Sequence, residues 1–252
     1  MNKPAQSVVV VVGGLIFFNV MVFFTIAVSQ YNASSMPGLP WFPFVVWGVL
    51  FLIVFAINAK WDIGLALPAG KPWGSIATFA VLSVIGSRCV HILEGAFHGV
   101  VSEFEAAPPG VSPLFAFIYW IGIVVALSTA SETGFRGIMQ SKLTPLFGLW
   151  PAILITTIVN TLAHRWDGLA ERAVGVFAIL IAWGYLRHLS GSLTPAILTH
   201  VATILVWDII LWSWGPWDYG AMGAGSLAAT ALIGLITLAA SIYLARRIEA
   251  SS

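Results

Sequence analysis

Apolar residues along this chain are gathered into long runs, and polar residues are gathered into the short segments between them. A membrane-spanning helix needs about 20 mostly apolar residues. Eight runs meet or approach this length: residues 8–29, 42–59, 74–93, 113–135, 149–164, 172–187, 193–214 and 222–245. The connecting segments are rich in Pro, Gly, Trp and charge. We therefore predict an all-α polytopic membrane protein with about eight transmembrane helices, forming a single transmembrane domain over residues 1–252.

The composition agrees with this pattern. Of the 252 residues, 59% are hydrophobic and only 8% are charged, whereas soluble domains carry about 25% charged residues. The formal net charge of +1 gives no reason to expect a nucleic-acid partner. The single cysteine, Cys89, excludes an intramolecular disulfide. We expect membrane lipid to be the first partner, in a bacterial or archaeal inner membrane.

The basic residues are distributed unevenly over the predicted loops and helix ends. If the N-terminus is cytoplasmic, only Arg165 and Arg172 lie in outside loops. Eight basic residues then lie on the inside: Lys3, Lys60, Lys71, Arg136, Lys142, Arg187, Arg246 and Arg247. Cytoplasmic segments of membrane proteins carry an excess of Lys and Arg. We therefore expect both termini in the cytoplasm, as an even number of spans requires.

A polar motif interrupts the fourth apolar run. Placing a charged side chain at the centre of a bilayer costs about 2.5–3.5 kcal/mol on insertion scales, so such a group usually has a partner or a task. Glu132 and Arg136 are four residues apart and share one face of a helix that we expect to continue to about Lys142. A structural ion pair and a functional carboxylate are both compatible with this spacing.

Two further groups contain histidine. Asn160 and His164 share a face at the end of the fifth run, where His164 is either an interfacial residue or a ligand. His200 lies near the start of the seventh run, about 8 Å along its helix, with Asp208 two turns further on roughly the same face. From the helical rise, a pocket of Glu132, His164 and His200 is possible but not required.

A fourth group follows the third apolar run. His91, Glu94 and His98 would form one stripe on a helix, which is spacing compatible with metal ligands. An interfacial cluster on the outer face is the favoured interpretation, because the segment is interrupted by Gly and leads into an acidic loop. The sequence leaves both interpretations open.

The three central motifs resemble those of the CAAX-protease and bacteriocin-processing family of intramembrane endopeptidases. Members of that family have eight spans, with E-E-x-x-x-R on helix 4, F-x-x-x-H on helix 5 and H-x-x-x-N on helix 7. This chain has Ser131-Glu-Thr-Gly-Phe-Arg-Gly137, Asn160-Thr-Leu-Ala-His164 and a typical lead-in to His200. The resemblance covers about residues 113–208, and it implies catalytic roles for Glu132, Arg136, His164 and His200.

Each motif also departs from the family pattern. Ser131 stands where the family has the first Glu, which is taken to activate water. Asn160 replaces the Phe, and Ile204 replaces the Asn that helps to stabilise the oxyanion. A hydroxyl without an adjacent base does not deprotonate readily near pH 7. The departures predict either a rearranged catalytic site or a site that has lost its activity.

Three functions remain open at this point. The first is an endopeptidase that cuts a membrane peptide, such as a prenylated C-terminus or a leader peptide. Glu132 would be the base, held ionised by Arg136, and His164 and His200 would bind the oxyanion or a metal. The second is a catalytically silent scaffold or subunit of a larger membrane complex, in which the His could contact a cofactor or pigment. A transporter is the third and ranks last, because the chain has no internal repeat. The sequence names no cofactor and does not require a metal, since it lacks a local ligand motif.

Overall fold

A computed structural model describes residues 3–35, 42–102, 113–163 and 171–250 of the chain. Nearly all of these residues are helical. In chain order the helices are α1 (Lys3–Ser35), α2 (Phe42–Trp61), α3 (Trp73–His98), α4 (Pro113–Glu132), a π-helix (Thr133–Gln140), α5 (Ser141–Phe147), α6 (Leu149–Ala163), α7 (Ala173–Ser190), α8 (Thr194–Trp214) and α9 (Ala224–Ala250). Two short strands, β1 (Val101–Ser102) and β2 (Trp217–Asp218), complete the list.

The predicted fold class is confirmed. Within the described ranges, seven helical segments are long and apolar enough to cross a membrane. The remaining predicted run, 149–164, corresponds to α6, a shorter apolar helix of 15 residues. Large apolar side chains cover the outer faces of the long helices, with Phe23, Leu52 and Leu198 each more than 60% exposed. Exposed apolar surface of this extent is typical of a protein that is solvated by lipid.

The contacts between elements divide the chain into two compact units, and the division falls within α6. The first unit comprises residues 1–66 and 106–152. In it α1 packs closely against the π-helix. A Cβ added to Gly14 would lie only 3.1 Å from the carbonyl oxygen of Gly134, so the contact leaves little room for a larger side chain. Beside this approach, the rings of Phe18 and Phe135 lie 4.8 Å apart. Small residues at a helix contact let two backbones approach, as is common in membranes.

The second unit comprises residues 67–105 and 153–252. Its core lies where the start of α3 meets the ends of α7 and α9, and it consists of Ile76, Phe79, Ala80, Leu186, Leu189, Ala245 and Ile248. At the opposite end of this unit, β1 pairs with β2 in antiparallel register, with Val101 opposite Asp218. Tyr219 follows β2 and is fully buried. Burial raises the pKa of its phenol above the ordinary value.

Candidate functional site

Glu132 and Arg136 form a buried ion pair inside the first unit. The Nη1 atom of Arg136 lies 3.4 Å from Oε1 of Glu132, and the two side chains are 1% and 0% exposed. The pairing predicted from their spacing is therefore present. In surroundings of low dielectric constant the two opposite charges attract each other strongly, and removing either one would leave a buried charge without its counter-ion.

The backbone that carries this pair agrees with the prediction in its extent but not in its type. The helix expected to continue to about Lys142 does continue, to Phe147, but its residues Thr133–Gln140 form a π-helix before α5 begins at Ser141. A π-helix has i→i+5 hydrogen bonds, is rare, and frequently occurs at functional sites. It directs the side chains of Arg136 and Gln140 differently from a continuous α-helix. Periodicity alone could not predict this, because the pattern of apolar residues in the segment is the same for both kinds of helix.

The environment of Glu132 is polar although it is buried. Ser128, Ser131, Thr133 and Gln140 are all less than 5% exposed. Within the described part of the chain, the hydroxyls of Ser128, Ser131 and Thr133 have no hydrogen-bond partner. A buried hydroxyl that lacks a partner costs about 1–3 kcal/mol. These hydroxyls can therefore bind a polar ligand or water beside the carboxylate.

His200 lies in the second unit, in the second turn of α8. The chain reaches it through a tight turn after α7, in which the Ser192 amide donates a 3.1 Å hydrogen bond to the Ser190 hydroxyl. The imidazole is 6% exposed and stacks on the indole of Trp183, with ring centroids 4.1 Å apart and an angle of 27° between the rings. Stacking of this kind fixes the plane of the imidazole. Trp183 was not predicted, because it lies on α7 in an apolar run with no motif around it.

The other residues of the predicted groups have different surroundings. Asn160 is fully buried on α6, whereas His164 lies outside the described residues. Asp208 interacts electrostatically with Arg88, whose guanidinium lies 4.7 Å from the ring centroid of Trp207. Asp208 is therefore engaged with a cation on α3.

The His91, Glu94 and His98 stripe has three separate sets of contacts. The carboxylate of Glu94 accepts hydrogen bonds of 2.8 and 2.7 Å from the backbone amides of Val174 and Gly175, at the start of α7. An anion at a helix N-terminus stabilises that helix. His91 packs edge-on against Tyr219, and His98 is exposed beside Phe97. Among the described residues, no three His, Cys, Asp or Glu side chains are placed to hold a metal ion.

The described catalytic candidates therefore lie in two separate units. The first holds Glu132 and Arg136 in direct contact, and the second holds His200 against Trp183. A shared pocket of Glu132, His164 and His200 stays a prediction, as do the catalytic roles of the four residues.

The fold is that of a polytopic, all-α integral membrane protein, and comparison with known proteins relates its central segment to a family. Residues 112–206 match the family model described as type II CAAX prenyl endopeptidase Rce1-like. This match coincides with the segment 113–208 that carries the predicted motifs, and it confirms that this segment is of the CAAX-protease family. No curated protein and no solved structure matches the chain.

Proposed function

We propose that this protein is an intramembrane endopeptidase that cuts a peptide near the surface of a bacterial or archaeal inner membrane. The observation that carries the proposal is the buried pair of Glu132, at the end of α4, and Arg136, on the π-helix, within the segment that matches CAAX prenyl endopeptidases. A buried carboxylate beside hydroxyl groups has the chemistry of a general base that handles water. The matched family favours a prenylated C-terminal peptide as substrate, and a leader peptide is the other candidate.

In the proposed reaction Glu132 takes a proton from water, and the resulting hydroxide attacks the carbonyl carbon of the scissile bond. Arg136 keeps the carboxylate ionised before this step. His164 and His200 donate hydrogen bonds to the oxyanion of the tetrahedral intermediate. The C–N bond then breaks, and the proton held by Glu132 passes to the leaving amine. No step requires a metal or another cofactor.

One observation favours a second function. Ser131 occupies the position of the family's first Glu. Its buried hydroxyl makes no hydrogen bond to a base among the described residues. A protein whose base is lost would retain the family fold as a scaffold or as a subunit of a membrane complex. The Glu132–Arg136 pair would then serve stability alone.

A cleavage assay separates the two functions. The purified protein is incubated in lipid nanodiscs with a panel of fluorogenic peptides, including a farnesylated C-terminal peptide. Wild type is compared with Glu132→Gln and Ser131→Glu. Glu171→Gln, which alters an exposed carboxylate outside the motifs, is the matched control.

If Glu132 is the base, wild type and Glu171→Gln cleave at equal rates, and Glu132→Gln lowers kcat by about 10²-fold or more. If cleavage occurs only after Ser131→Glu, the fold supports proteolysis but the natural protein does not perform it, and the scaffold function replaces our proposal. If no variant cleaves any peptide of the panel, the proposal is rejected for prenylated and leader peptides. Co-purification of partner chains from native membranes then tests the scaffold function.

A further inference from the structure

A cleft opens at one end of the second unit, away from the residues that the proposed reaction uses. Its volume is about 310 Å³, and it is lined by Lys71, His188, Leu189 and Glu249. The cleft lies beside the core formed by the start of α3 and the ends of α7 and α9. The lining combines a permanent cation, an imidazole and a carboxylate with one apolar side chain at the end of a helix bundle.

Basic side chains outnumber acidic ones at the helix ends around this cleft. Arg187, Arg246 and Arg247 lie in the last turns of α7 and α9, so this end of the unit carries four permanent cations with Lys71. Its described helix ends carry a single carboxylate, that of Glu249. The cleft is therefore suited to an anion.

The Glu249 carboxylate, which also lines the cleft, is engaged by groups of the protein. Its carboxylate accepts a hydrogen bond from the Tyr185 hydroxyl. The same oxygen lies 3.6 Å from Nε2 of His188. The carboxylate is thus directed toward two donors of the protein. Lys71 lies against the end of α7, where its Cε would be 3.9 Å from a Cβ built on Gly191. The Lys71 ammonium is carried on a flexible stem and can reach an anion at the mouth of the cleft.

The surface next to the cleft is apolar and aromatic. Trp73 and Tyr185 pack against the core below it. On the outer face of α9, Ile242 and Tyr243 are 56% and 62% exposed, and the guanidinium of Arg247 lies 5.8 Å from the Tyr243 ring centroid. Trp and Tyr are enriched where a protein meets the headgroup region of a membrane. The cleft therefore lies at the boundary between a lipid-facing helix surface and water.

From these observations we propose that the cleft binds the phosphate group of an anionic phospholipid. Lys71 and His188 contact the phosphate, and one acyl chain lies along the apolar face of α9 beside Ile242. A free phosphate would make the same polar contacts, but only a lipid also uses the apolar face. Basic pockets between transmembrane helices bind anionic headgroups in other membrane proteins. This proposal is independent of whether the protein cleaves peptides.

Lipid retention measured by native mass spectrometry tests the proposal. The full chain is purified from nanodiscs that contain equal amounts of phosphatidylglycerol and phosphatidylcholine, and the retained lipids are counted. Wild type is compared with Lys71→Gln and His188→Gln. Lys60→Gln is the matched control, because it removes the same charge at the end of α2 and does not line the cleft. A parallel arm adds inorganic phosphate or a soluble acidic peptide.

Wild type should retain phosphatidylglycerol in preference to phosphatidylcholine. Loss of one basic side chain near a headgroup weakens binding about fivefold, so Lys71→Gln should lower the affinity by about that factor while Lys60→Gln leaves it unchanged. A smaller loss in His188→Gln supports the site if Lys71→Gln fails to fold. Equal losses in Lys71→Gln and Lys60→Gln would overturn the proposal in favour of diffuse surface charge. Displacement of the lipid by inorganic phosphate or by the peptide at low concentration would also overturn it, because the apolar contacts would then contribute nothing.

Discussion

At the scale of single residues, the chain uses its few charges in pairs. Arg136 is fully buried against Glu132, and Arg88 lies close to Asp208 and over Trp207. Each arrangement offsets the cost of removing a charge from water. The position of a charge within an apolar run was therefore a good indication that it has a partner. It did not show whether that partner has a catalytic task.

The coupling between Glu132 and Arg136 is testable by a double-mutant cycle. Arg136→Gln leaves the Glu132 carboxylate buried beside a neutral side chain, and we expect it to lower the free energy of unfolding by about 3–5 kcal/mol. Replacing both residues by Gln should cost less than the sum of the two single changes, because no charge remains buried. Thermal and denaturant unfolding in detergent measures all three variants. Strictly additive effects would show that the two groups are not coupled.

At the scale of elements, the π-helix and α1 pack closely against each other in the first unit. A Cβ on Gly14 would lie 2.9 Å from Cε of Met139 and 3.1 Å from the Gly134 carbonyl oxygen. The Met139 side chain can move, but the backbone carbonyl cannot move without shifting the π-helix. The glycine of the motif Glu132-Thr-Gly-Phe-Arg136 thus also serves helix packing.

Neighbouring glycines of α1 provide a matched test of this contact. Gly14→Val should separate α1 from the π-helix and cost about 1–3 kcal/mol of stability. Gly13→Val places the same side chain one residue earlier, where a Cβ meets nothing within 4 Å. The melting temperatures of the two variants in detergent measure the difference. Equal melting temperatures would be incompatible with a close approach at Gly14.

At the scale of the whole molecule, orientation in the membrane is still a prediction. The uneven distribution of basic residues predicts that both termini lie in the cytoplasm. Within the second unit, the ends of α7 and α9 share one end with the start of α3. The β1–β2 ribbon lies beyond the opposite end of α3. The second unit therefore has one strongly basic end, as a cytoplasmic end would.

Reporter fusions test this orientation. Green fluorescent protein fused after Ser252 should fluoresce, because it folds in the cytoplasm, and alkaline phosphatase at the same place should be inactive. The activities should reverse for fusions made after Gly220, between β2 and α9. Active alkaline phosphatase after Ser252 would contradict the predicted orientation.

By itself, the sequence determined the fold class, the positions of the long helices, the pairing of Glu132 with Arg136 and the family of the central segment. These follow from local properties: an apolar run of sufficient length must form a helix in lipid, and two charges on one helical face can pair. The tertiary structure decided the π-helix, the stacking of His200 on Trp183 and the use of Glu94 to cap α7. Trp183 and Glu94 contact partners on other helices, and the backbone of the π-helix packs against α1. These features depend on which elements lie side by side, so the periodicity of the sequence does not predict them.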